Sequence, residues 1–588
     1  MKAFHVLTKN DRAKKVEPLA HLGAKFVPAR ANKRFLKQRF LKEFDENIEK
    51  VVAVCKFDAN AILFRDVANS RVKKTVKNLK LRSRRNLSKK AKEAFEVLKS
   101  NTEFSVVPAD KNLGLVAIDN SRLTELSLNV LNDLNKWELV PNLQPKDLQA
   151  EMTDLVKEFT MGYLWPGQGE VFIESRWNRF AKKFDGLPMF RGLPKIHKPT
   201  VALRPIVRSS SWILCGLSKE LLPWVRDIVF GVCRKHKHLM LKMERLIVET
   251  EDFTFPKNSE LITADITSMY DNMDLETALS ELMFWAREVW SPEDECIPIL
   301  IKGARLVLKN SFCVFHDRVY KRVKGINMGD SLGPFIAILY LARTELEALD
   351  KLGHIEIFWR RYIDDFLLIV EKEFITEIVS ILKNLCSRQG FEITIETNNQ
   401  QKEFLDMLLF KGKRWKRENK LDIRLYEKQL NLYQYVNFNS EHPLYVFRNI
   451  VKNGIRRALA RTNNRNDFGS YLSKFKQRLL NRNFPPKKLK RWFRDAVHFE
   501  QRSDVIASLR HNLRRPNRES QLEQFPLIFT YTSAFQVKHT VKNILEDIWP
   551  LLPKQIASKG FFPVCRMDIN LARSTFKHNN EQKREESP

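Results

Sequence analysis

The sequence lacks any apolar run that approaches a membrane span, which takes about 20 residues. Its start, from Met1 to Asn10, has no apolar core of a secretory signal. Cysteine is sparse as well, since the seven thiols among 588 residues are odd in number and never spaced as Cys-x-x-Cys. These absences exclude a disulfide framework, and they predict an intracellular protein with reduced thiols and no membrane partner.

Acidic residues are too few to balance the basic ones. Lys and Arg number 102 against 70 Asp and Glu, which gives a formal charge of +32. The segment from Arg71 to Lys92 contains eleven Lys or Arg and no acid. Such a run is often only a solvated surface, but the overall excess favours a polyanionic partner. We predict that this partner is nucleic acid.

One group of potential metal ligands is incomplete. Cys233, His236 and His238 lie close together in the sequence, but no fourth ligand is near them. A structural zinc site normally has four protein ligands. We therefore interpret this segment as a basic loop.

The stretch from Phe358 to Val370 is the most informative part of the chain. Aromatic and β-branched residues flank two adjacent carboxylates, Asp364 and Asp365, and the apolar run after them has the length of a buried strand. We predict a β-hairpin with the Asp pair at its turn, because Asp tolerates left-handed geometry. The pair fits an ordinary solvated turn; at a buried tip it would instead require a cation, and oxygen ligands favour Mg²⁺.

The segments around this hairpin alternate between strands and helices. We predict a strand at 261–266 that carries Asp265, a glycine-rich turn at 325–334 opening a helix at 335–349, and, after the hairpin, a helix at 373–389 and a strand at 391–396. This order is typical of a polymerase palm. If Asp265 joins Asp364 and Asp365 on adjacent strands, the three carboxylates could bind two metal ions roughly 3.5–4 Å apart, as in in-line phosphoryl transfer.

Two other β-rich segments carry cations. Asp110 and Lys111 occupy a polar turn between two predicted strands, and Lys195, Lys198 and Arg204 flank a second predicted hairpin turn. Cations on a hairpin can be solvated edge protection. They can also bind a triphosphate, Arg through its fork and Lys as a point charge.

Taken together, these motifs resemble a reverse transcriptase. Residues 362–365, Tyr-Ile-Asp-Asp, match that family's Tyr-x-Asp-Asp signature. Among reverse transcriptases the chain is most similar to those of the Penelope-like retroelements, which are relatives of telomerase. The resemblance spans residues 85–460 and is carried by segments 109–111, 192–198, 204–207, 265–270, 328–334, 404–406 and 438–443.

The resemblance implies an α+β right-hand polymerase. Fingers and palm would occupy residues 101–425, with an antiparallel palm sheet backed by helices, and a basic helical thumb would occupy 426–515. Residues 1–100 would form a basic, mainly helical nucleic-acid-binding region, and 516–588 a C-terminal extension. The expected partners are an RNA template, a DNA primer and deoxynucleoside triphosphates, and the expected location is nuclear.

The resemblance also assigns roles at the site. Asp265 and Asp364 would be the principal ligands of two Mg²⁺ ions, for which Mn²⁺ could substitute, and Asp365 would be a supporting carboxylate. Lys195 and Arg204 would contact the incoming triphosphate.

Tyr270 would exclude a ribose 2′-hydroxyl, although plain core packing is the alternative for this ring. Met328 and Gly329 would border the nucleotide and template. The primer grip would consist of Phe404, Leu405 and Asp406. The other nucleic-acid contacts that we expect are Lys198, Arg448, Lys452, Arg456, Arg457, Lys487, Lys488, Lys490 and Arg491.

The chain departs from the family in two places. Asp330 and Ser331 follow Met-Gly where the family usually has small residues or proline, and we expect the added charge to alter nucleotide selection or a neighbouring metal's field. No GIY-YIG endonuclease motif follows residue 515. We therefore expect an enzyme that extends an existing 3′ end without cutting its own target, with the C-terminal extension packed against the thumb.

Two other functions stay open. An RNA-dependent RNA polymerase would usually carry Gly-Asp-Asp and no aromatic gate. An inactive RNA-binding scaffold derived from such a polymerase would not be expected to keep the three aspartates together with Lys195 and Arg204.

Overall fold

The computed structural model describes residues 3–29, 32–55, 58–81, 85–165, 170–514 and 525–567. Its N-terminal part is mainly helical, as predicted. Ser88 begins the last helix of this part as predicted, because its hydroxyl accepts a hydrogen bond from the backbone N–H of Ala91 at 3.2 Å. The elements are β1 (Phe4–Val6), α1 (Asp11–Lys14), α2 (Glu17–Ala20), α3 (Lys33–Val54), α4 (Ala59–Asn78) and α5 (Lys89–Lys99).

The next part alternates short strands with helices. Its two predicted hairpin segments are present, and Pro205 lies on the edge strand of its sheet, where a missing N–H costs no ladder bond. The elements are β2 (Phe104–Pro108), β3 (Leu115–Asp119), α6 (Asn120–Leu131), β4 (Trp137–Val140), α7 (Pro145–Phe159), α8 (Glu170–Lys183), β5 (Met189–Pro194), β6 (Leu203–Arg208), α9 (Ile213–Lys235) and α10 (Met243–Asp252).

The central part contains the predicted hairpin and its flanking elements in the expected order. Asp274 caps the helix that follows the first strand, where its carboxylate accepts a hydrogen bond from the N–H of Thr277 at 2.8 Å. The elements are β7 (Ser259–Ile266), α11 (Met269–Asn272), α12 (Leu275–Val289), α13 (Cys296–Lys309), β8 (Phe312–Phe315), β9 (Arg318–Arg322), α14 (Gly333–Lys351), β10 (Phe358–Tyr362), β11 (Asp365–Glu371), α15 (Ile375–Arg388) and β12 (Ile393–Asn398).

These strands form three sheets. One has the order β1-β3-β2, and a second, mixed sheet has the order β4-β9-β8-β5-β6. The third, which we call the palm sheet, has the order β10-β11-β7-β12 and is antiparallel throughout.

The palm sheet is covered on both faces. Because side chains alternate along a strand, Ile262 and Leu368 pack into one core with α9, α12 and α14. Leu261 and Leu367, on the other face, pack into a second core with the helices that follow the palm. This double burial explains why residues 366–370 are apolar without alternation.

Those helices form the thumb, residues 444–514. The sequence predicted helices from about Tyr426, which is wrong for 426–443, because this segment contains neither helix nor strand. Its asparagines bond the local backbone instead, as Asn431 does when it accepts from the N–H of Tyr433 at 2.8 Å. The elements from the palm onward are β13 (Gln401–Phe404), β14 (Met407–Phe410), α16 (Lys413–Glu418), β15 (Asp422–Leu425), α17 (Leu444–Ala460), α18 (Arg465–Leu480), α19 (Pro486–Arg494) and α20 (Arg502–Arg514).

The C-terminal extension joins the N-terminal helices. It consists of β16 (Phe525–Thr530), α21 (Val537–Leu545), α22 (Lys554–Ala557) and β17 (Phe561–Arg566), and β16 pairs with β17 in parallel. Among the described residues its apolar side chains share a core with α3 and α4. Its apolar packing is therefore on α3 and α4, whereas its contact with the predicted thumb is polar, since the N–H and hydroxyl of Ser533 donate to Glu441 at 2.6 and 2.9 Å. We call α3, α4 and residues 525–566 the end module.

None of the described helices is both long and apolar enough to cross a membrane.

Candidate active site

The palm sheet brings two of the predicted aspartates together. Asp265, next to last in β7, lies directly opposite Asp365, the first residue of β11. Asp364 is adjacent, because its carbonyl accepts a hydrogen bond from the N–H of Ile266 at 3.2 Å. Since a one-residue slip would turn one carboxylate to the opposite face, the register of two strands determines this cluster.

The turn of the hairpin differs from the prediction. Tyr362 pairs with Asp365, so the two turn residues are Ile363 and Asp364. Ile363 takes the left-handed conformation, with φ at +59°. A β-branched residue is strained there. The strain falls on Ile363, and Asp365 keeps extended geometry and faces Asp265.

Burial raises the pKa of all three carboxylates, and neighbouring charges raise the pKa of two of them further. Burial, and then the charges of Asp364 and Asp265, raise the pKa of Asp365 to about 6. The pKa of Asp265 is raised by burial and then by the charge of Asp364, and that of Asp364 is raised by burial. Carboxylates that repel one another in this way suit a hard cation.

The donor set thus fits Mg²⁺ in its chemistry. Among the described residues, however, no three Asp, Glu, His or Cys side chains are arranged around a common point. The carboxylates of Asp265, Asp364 and Asp365 would therefore have to rotate to share an ion.

Tyr270 borders the same site. Its ring packs against the main core, and a Cβ added to Gly333, at the start of α14, would lie 3.4 Å from the ring. Burial, and then the charge of Asp364, raise the pKa of the Tyr270 phenol to about 12. The ring is therefore partly a core residue and also a neighbour of the acidic turn.

The glycine-rich turn fits between β6 and α11 because two of its residues have no side chain. A Cβ on Gly329, whose φ is +124°, would lie 2.7 Å from the carbonyl oxygen of Val207 in β6. Gly325, with φ at +84°, approaches the carbonyl of Tyr270 as closely. Met328 and Gly329 consequently lie beside β6, the strand that carries Arg204.

Asp330 is held by neighbours within the protein. Its carboxylate accepts hydrogen bonds from the hydroxyl of Ser218 at 2.8 Å and from the N–H of Leu332 at 2.7 Å, and burial raises its pKa. The residue thus links the segment that leads into α14 to Ser218 of α9. This role explains how an acid is accommodated here.

Arg204 connects the two hairpin turns that the sequence indicated. Its Nε lies 3.3 Å from an oxygen of Asp110, a buried carboxylate in the turn between β2 and β3. The positive charge of Arg204 also lowers the pKa of Asp364, against the larger effect of burial.

Lys195 and Lys198 lie near the same place. Burial is the main cause of the lowered pKa of His197, and the charges of Lys111, Lys198 and Lys195 lower it further. The fold thus places Lys111 near Lys195 and Lys198. In the sequence, Lys111 was marked by the polar turn that contains it.

The predicted primer grip is a hairpin tied to the thumb. Phe404 is buried, and Leu405, with φ at +54°, forms the turn between β13 and β14 with Asp406. Asp406 accepts hydrogen bonds from Arg457 at 2.9 and 2.7 Å and lies 2.8 Å from Nε of Arg461. Although burial opposes it, these guanidinium groups hold the pKa of Asp406 below its usual value. Arg457, predicted to bind nucleic acid, therefore pairs with Asp406.

The remaining predicted nucleic-acid contacts lie on the thumb helices. On α17, Arg448 and Lys452 are exposed, and Arg456 donates a hydrogen bond to Ser508 at 3.2 Å. Helix α19 buries Leu489 and Trp492 and leaves the opposite face basic. The exposed cations of that face are Lys487, Lys488, Lys490 and Arg491.

One residue near the site was missed. The charge of Lys428 lowers the pKa of Asp265 and of Asp365, against burial. Lys428 lies in segment 426–443, where Asn431 accepts a hydrogen bond from Asn112, in the turn between β2 and β3, at 2.9 Å. No strand, helix or motif marks Lys428, so the sequence offered no signal for it.

The basic residues of segment 233–238 are exposed, as predicted for Arg234, Lys235 and Lys237, whereas Cys233 and His238 are buried. His238 and Met240 bond the backbone of Arg361 at the outer edge of β10, at 2.8 Å each. Burial raises the pKa of Cys233 to about 12 and lowers that of His238 to about 4. Within the described part of the chain these side chains form no metal-binding group.

Comparisons with known proteins give a match to part of the thumb. A family model described as an animal helix-turn-helix domain matches residues 434–494, which include α17, α18 and α19. No curated protein matches the chain.

Several solved polymerases are similar in structure. Telomerase from Candida albicans, in complex with a fragment of telomeric RNA, has a TM-score of 0.47 and 12% identity, with 82% of each chain covered. Telomerase from Candida tropicalis without ligand has a TM-score of 0.42 and 11% identity over 93% of this chain and 81% of that one. The RNA-dependent RNA polymerase of a human picobirnavirus has a TM-score of 0.40 and 12% identity over 68% and 84%.

The chain has the α+β fold that the sequence predicted, with an antiparallel sheet backed by helices. The palm sheet carries the paired aspartates at the same end of its two central strands, β7 and β11.

Proposed function

We propose that the chain is an RNA-directed DNA polymerase that extends the 3′-hydroxyl of a primer, of the kind found in Penelope-like retroelements. The observation that carries this proposal is the register that sets Asp265 opposite Asp365, with Asp364 in the adjoining turn. We further propose an RNA template, a DNA primer and deoxynucleoside triphosphates as partners, and a nuclear location.

The side chains around these aspartates suit the binding of the metal ions and the triphosphate in such a reaction. Asp265, Asp364 and Asp365 would hold two Mg²⁺ ions, or Mn²⁺ in their place. When bound, these ions lower the pKa of a 3′-hydroxyl and neutralise a triphosphate. Arg204 and Lys195 offer the triphosphate a fork and a point charge.

Sugar selection and duplex binding fall to other residues. The ring of Tyr270 lies beside the acidic turn, where a ribose 2′-hydroxyl would meet it. The exposed cations of α19 would contact phosphates of the duplex. Deoxynucleotide selection by Tyr270 is the feature that favours DNA synthesis over RNA synthesis.

Primer extension tests the proposal. Purified protein is given an annealed primer on an RNA template with Mg²⁺, and deoxynucleotides or ribonucleotides in separate reactions. We expect extension with deoxynucleotides only, lost in the Asp364→Asn variant. Extension with ribonucleotides would indicate an RNA-dependent RNA polymerase, and RNA binding without extension by either would indicate a scaffold.

A further inference from the structure

A buried ion pair lies beneath the acidic turn. Arg361 in β10 and Glu345 in α14 have no exposed side-chain surface, and Nε of Arg361 donates to Glu345 at 2.7 Å. The indole N–H of Trp359 donates to the other oxygen of Glu345 at 3.0 Å. A buried pair replaced by apolar residues often costs no stability, so stability alone does not explain why it is present.

The remaining donors of Arg361 go to two carbonyl oxygens. One nitrogen donates to Ile338 of α14 at 2.8 Å, and another donates to Ile363 at 2.8 Å. Ile363 is the strained left-handed residue of the turn, and its carbonyl belongs to the peptide that joins it to Asp364. Arg361 therefore links the helix behind the palm sheet to the backbone that carries the carboxylate.

The neighbouring arginine provides an internal comparison. Arg360 points to the opposite face of β10 and forms a similar pair with Glu249, at 2.6 Å, with side chains 9% and 15% exposed. Its other bond goes to the carbonyl of its neighbour Trp359 at 2.7 Å. Two adjacent arginines thus have nearly the same burial and chemistry, but only Arg361 bonds the turn.

We propose that Arg361, oriented by Glu345, is a positioning residue that holds the Ile363–Asp364 turn in its strained conformation and so places the Asp364 carboxylate for binding a divalent cation. Strained backbone persists only where the surroundings enforce it. Three bonds from a planar guanidinium to Glu345, Ile338 and Ile363 provide such enforcement. A lysine would keep the charge but has no rigid fork to reach all three. The inference rests on the proposed function for its catalytic meaning.

The test compares matched variants of the two arginines. Arg361→Lys and Arg360→Lys change one group each. Two double variants, Arg361→Met/Glu345→Met and Arg360→Met/Glu249→Met, replace each ion pair with apolar residues, so that no lone charge stays buried. Thermal unfolding checks that all four fold. Binding of Mn²⁺ to the protein without nucleic acid is measured by electron paramagnetic resonance, with Asp364→Asn identifying the part due to this site. Primer extension then gives kcat and the KM for deoxynucleotide.

We expect Arg361→Lys and its double variant to weaken Mn²⁺ binding and lower kcat by about tenfold or more, as when a group that orients a metal ligand is lost. The KM for deoxynucleotide should stay near that of the wild type, and both Arg360 variants should match the wild type. Equal losses in the two series, or normal Mn²⁺ binding by Arg361→Lys, would overturn the inference. If the wild type binds Mn²⁺ and extends nothing, and only the Arg361 series loses Mn²⁺, the proposed function fails while the positioning role stands.

Discussion

The palm sheet and the end module are assembled in opposite ways. In the palm, Asp265, Asp364 and Asp365 lie within sequence motifs, and two neighbouring strands bring them together. In the end module, α3 and α4 pack on residues from the other end of the chain, such as Phe529 and Trp549. Local sequence is thus informative where chemistry demands particular residue types. It is uninformative where apolar surfaces need only a partner of the right shape.

The palm sheet and the end module also differ in the features that bear on function. The palm keeps costly features, including carboxylates with raised pKa values and the left-handed Ile363. The end module instead carries aromatic contacts, such as Phe64 against Trp549 at 5.6 Å. Substitutions should therefore affect activity in the palm and stability in the end module.

The largest effect is expected from Asp364→Asn. Losing a charge that supports the transferring phosphoryl group should reduce extension about a thousandfold, while folding and RNA binding stay near wild type because the carboxylates repel one another. Extension rate, thermal unfolding and a gel shift check this. Asp252→Asn, which removes an exposed acid paired with Arg510, is the matched control. Near wild-type extension by Asp364→Asn would refute the palm assignment.

The converse substitution is Trp549→Ala in the end module. Trp549 is 3% exposed, so its truncation should lower the free energy of unfolding by about 3 kcal/mol, with extension per folded molecule preserved. Urea unfolding and extension at low temperature measure the two quantities. Leu551→Ala, at a side chain 40% exposed in the same turn, should change little. A loss of extension in the folded Trp549 variant would connect the end module to catalysis.

The exposed cations of α19 in the thumb should affect nucleic-acid binding. Neutralising Lys487, Lys488, Lys490 and Arg491 should reduce the slope of log affinity against log salt by about one unit for each DNA or RNA phosphate that these side chains bind. Titrations of one duplex at several salt concentrations measure it, and neutralising Lys146 and Lys157 on α7 is the control. An unchanged slope would exclude α19 from the interface.

Within the palm, the Tyr270 ring packs on the core and also borders the acidic turn. Tyr270→Ala should lower the preference for deoxynucleotides over ribonucleotides about tenfold, the usual scale for a change of pocket shape. The ratio of kcat/KM for the two substrates measures it. Tyr270→Phe should keep the preference, because the ring excludes the 2′-hydroxyl. The same ratio in Tyr270→Ala as in wild type would leave Tyr270 a core residue only.

The smallest effect concerns stability and pH. The folded protein holds the proton of Asp365 up to a pKa of about 6, above the ordinary value. Its contribution to stability is therefore full below the unfolded pKa and is lost as the pH rises towards 6. Without metal, Asp365→Asn should melt above wild type at pH 7, and the difference should vanish near pH 4. Parallel melting curves for the two proteins would contradict the raised pKa.

Much of the site could be predicted from the sequence because its chemistry needs particular residues. The Asp364–Asp365 pair and the glycines of the 325–334 turn are recognisable wherever they occur. Alternation and apolar runs likewise predicted β7, β11 and α14 close to their actual bounds. These features depend on neighbours in sequence, so local patterns suffice.

Tertiary structure alone decided the rest. The left-handed residue is Ile363 and not an aspartate. Pairing of Tyr362 with Asp365 leaves Ile363 and Asp364 as the turn, and Arg361 donates a hydrogen bond to the Ile363 carbonyl. Besides the local bonds of its asparagines, segment 426–443 bonds distant parts of the chain in place of helical partners, as when Ser440 accepts from the N–H of Val27 at 2.7 Å. The extension packs on α3 and α4 because both present apolar faces. The bond of Ser440 to Val27 and the packing of the extension join residues far apart in sequence, and Arg361 is itself oriented by Glu345 of α14, so no local pattern encodes these features.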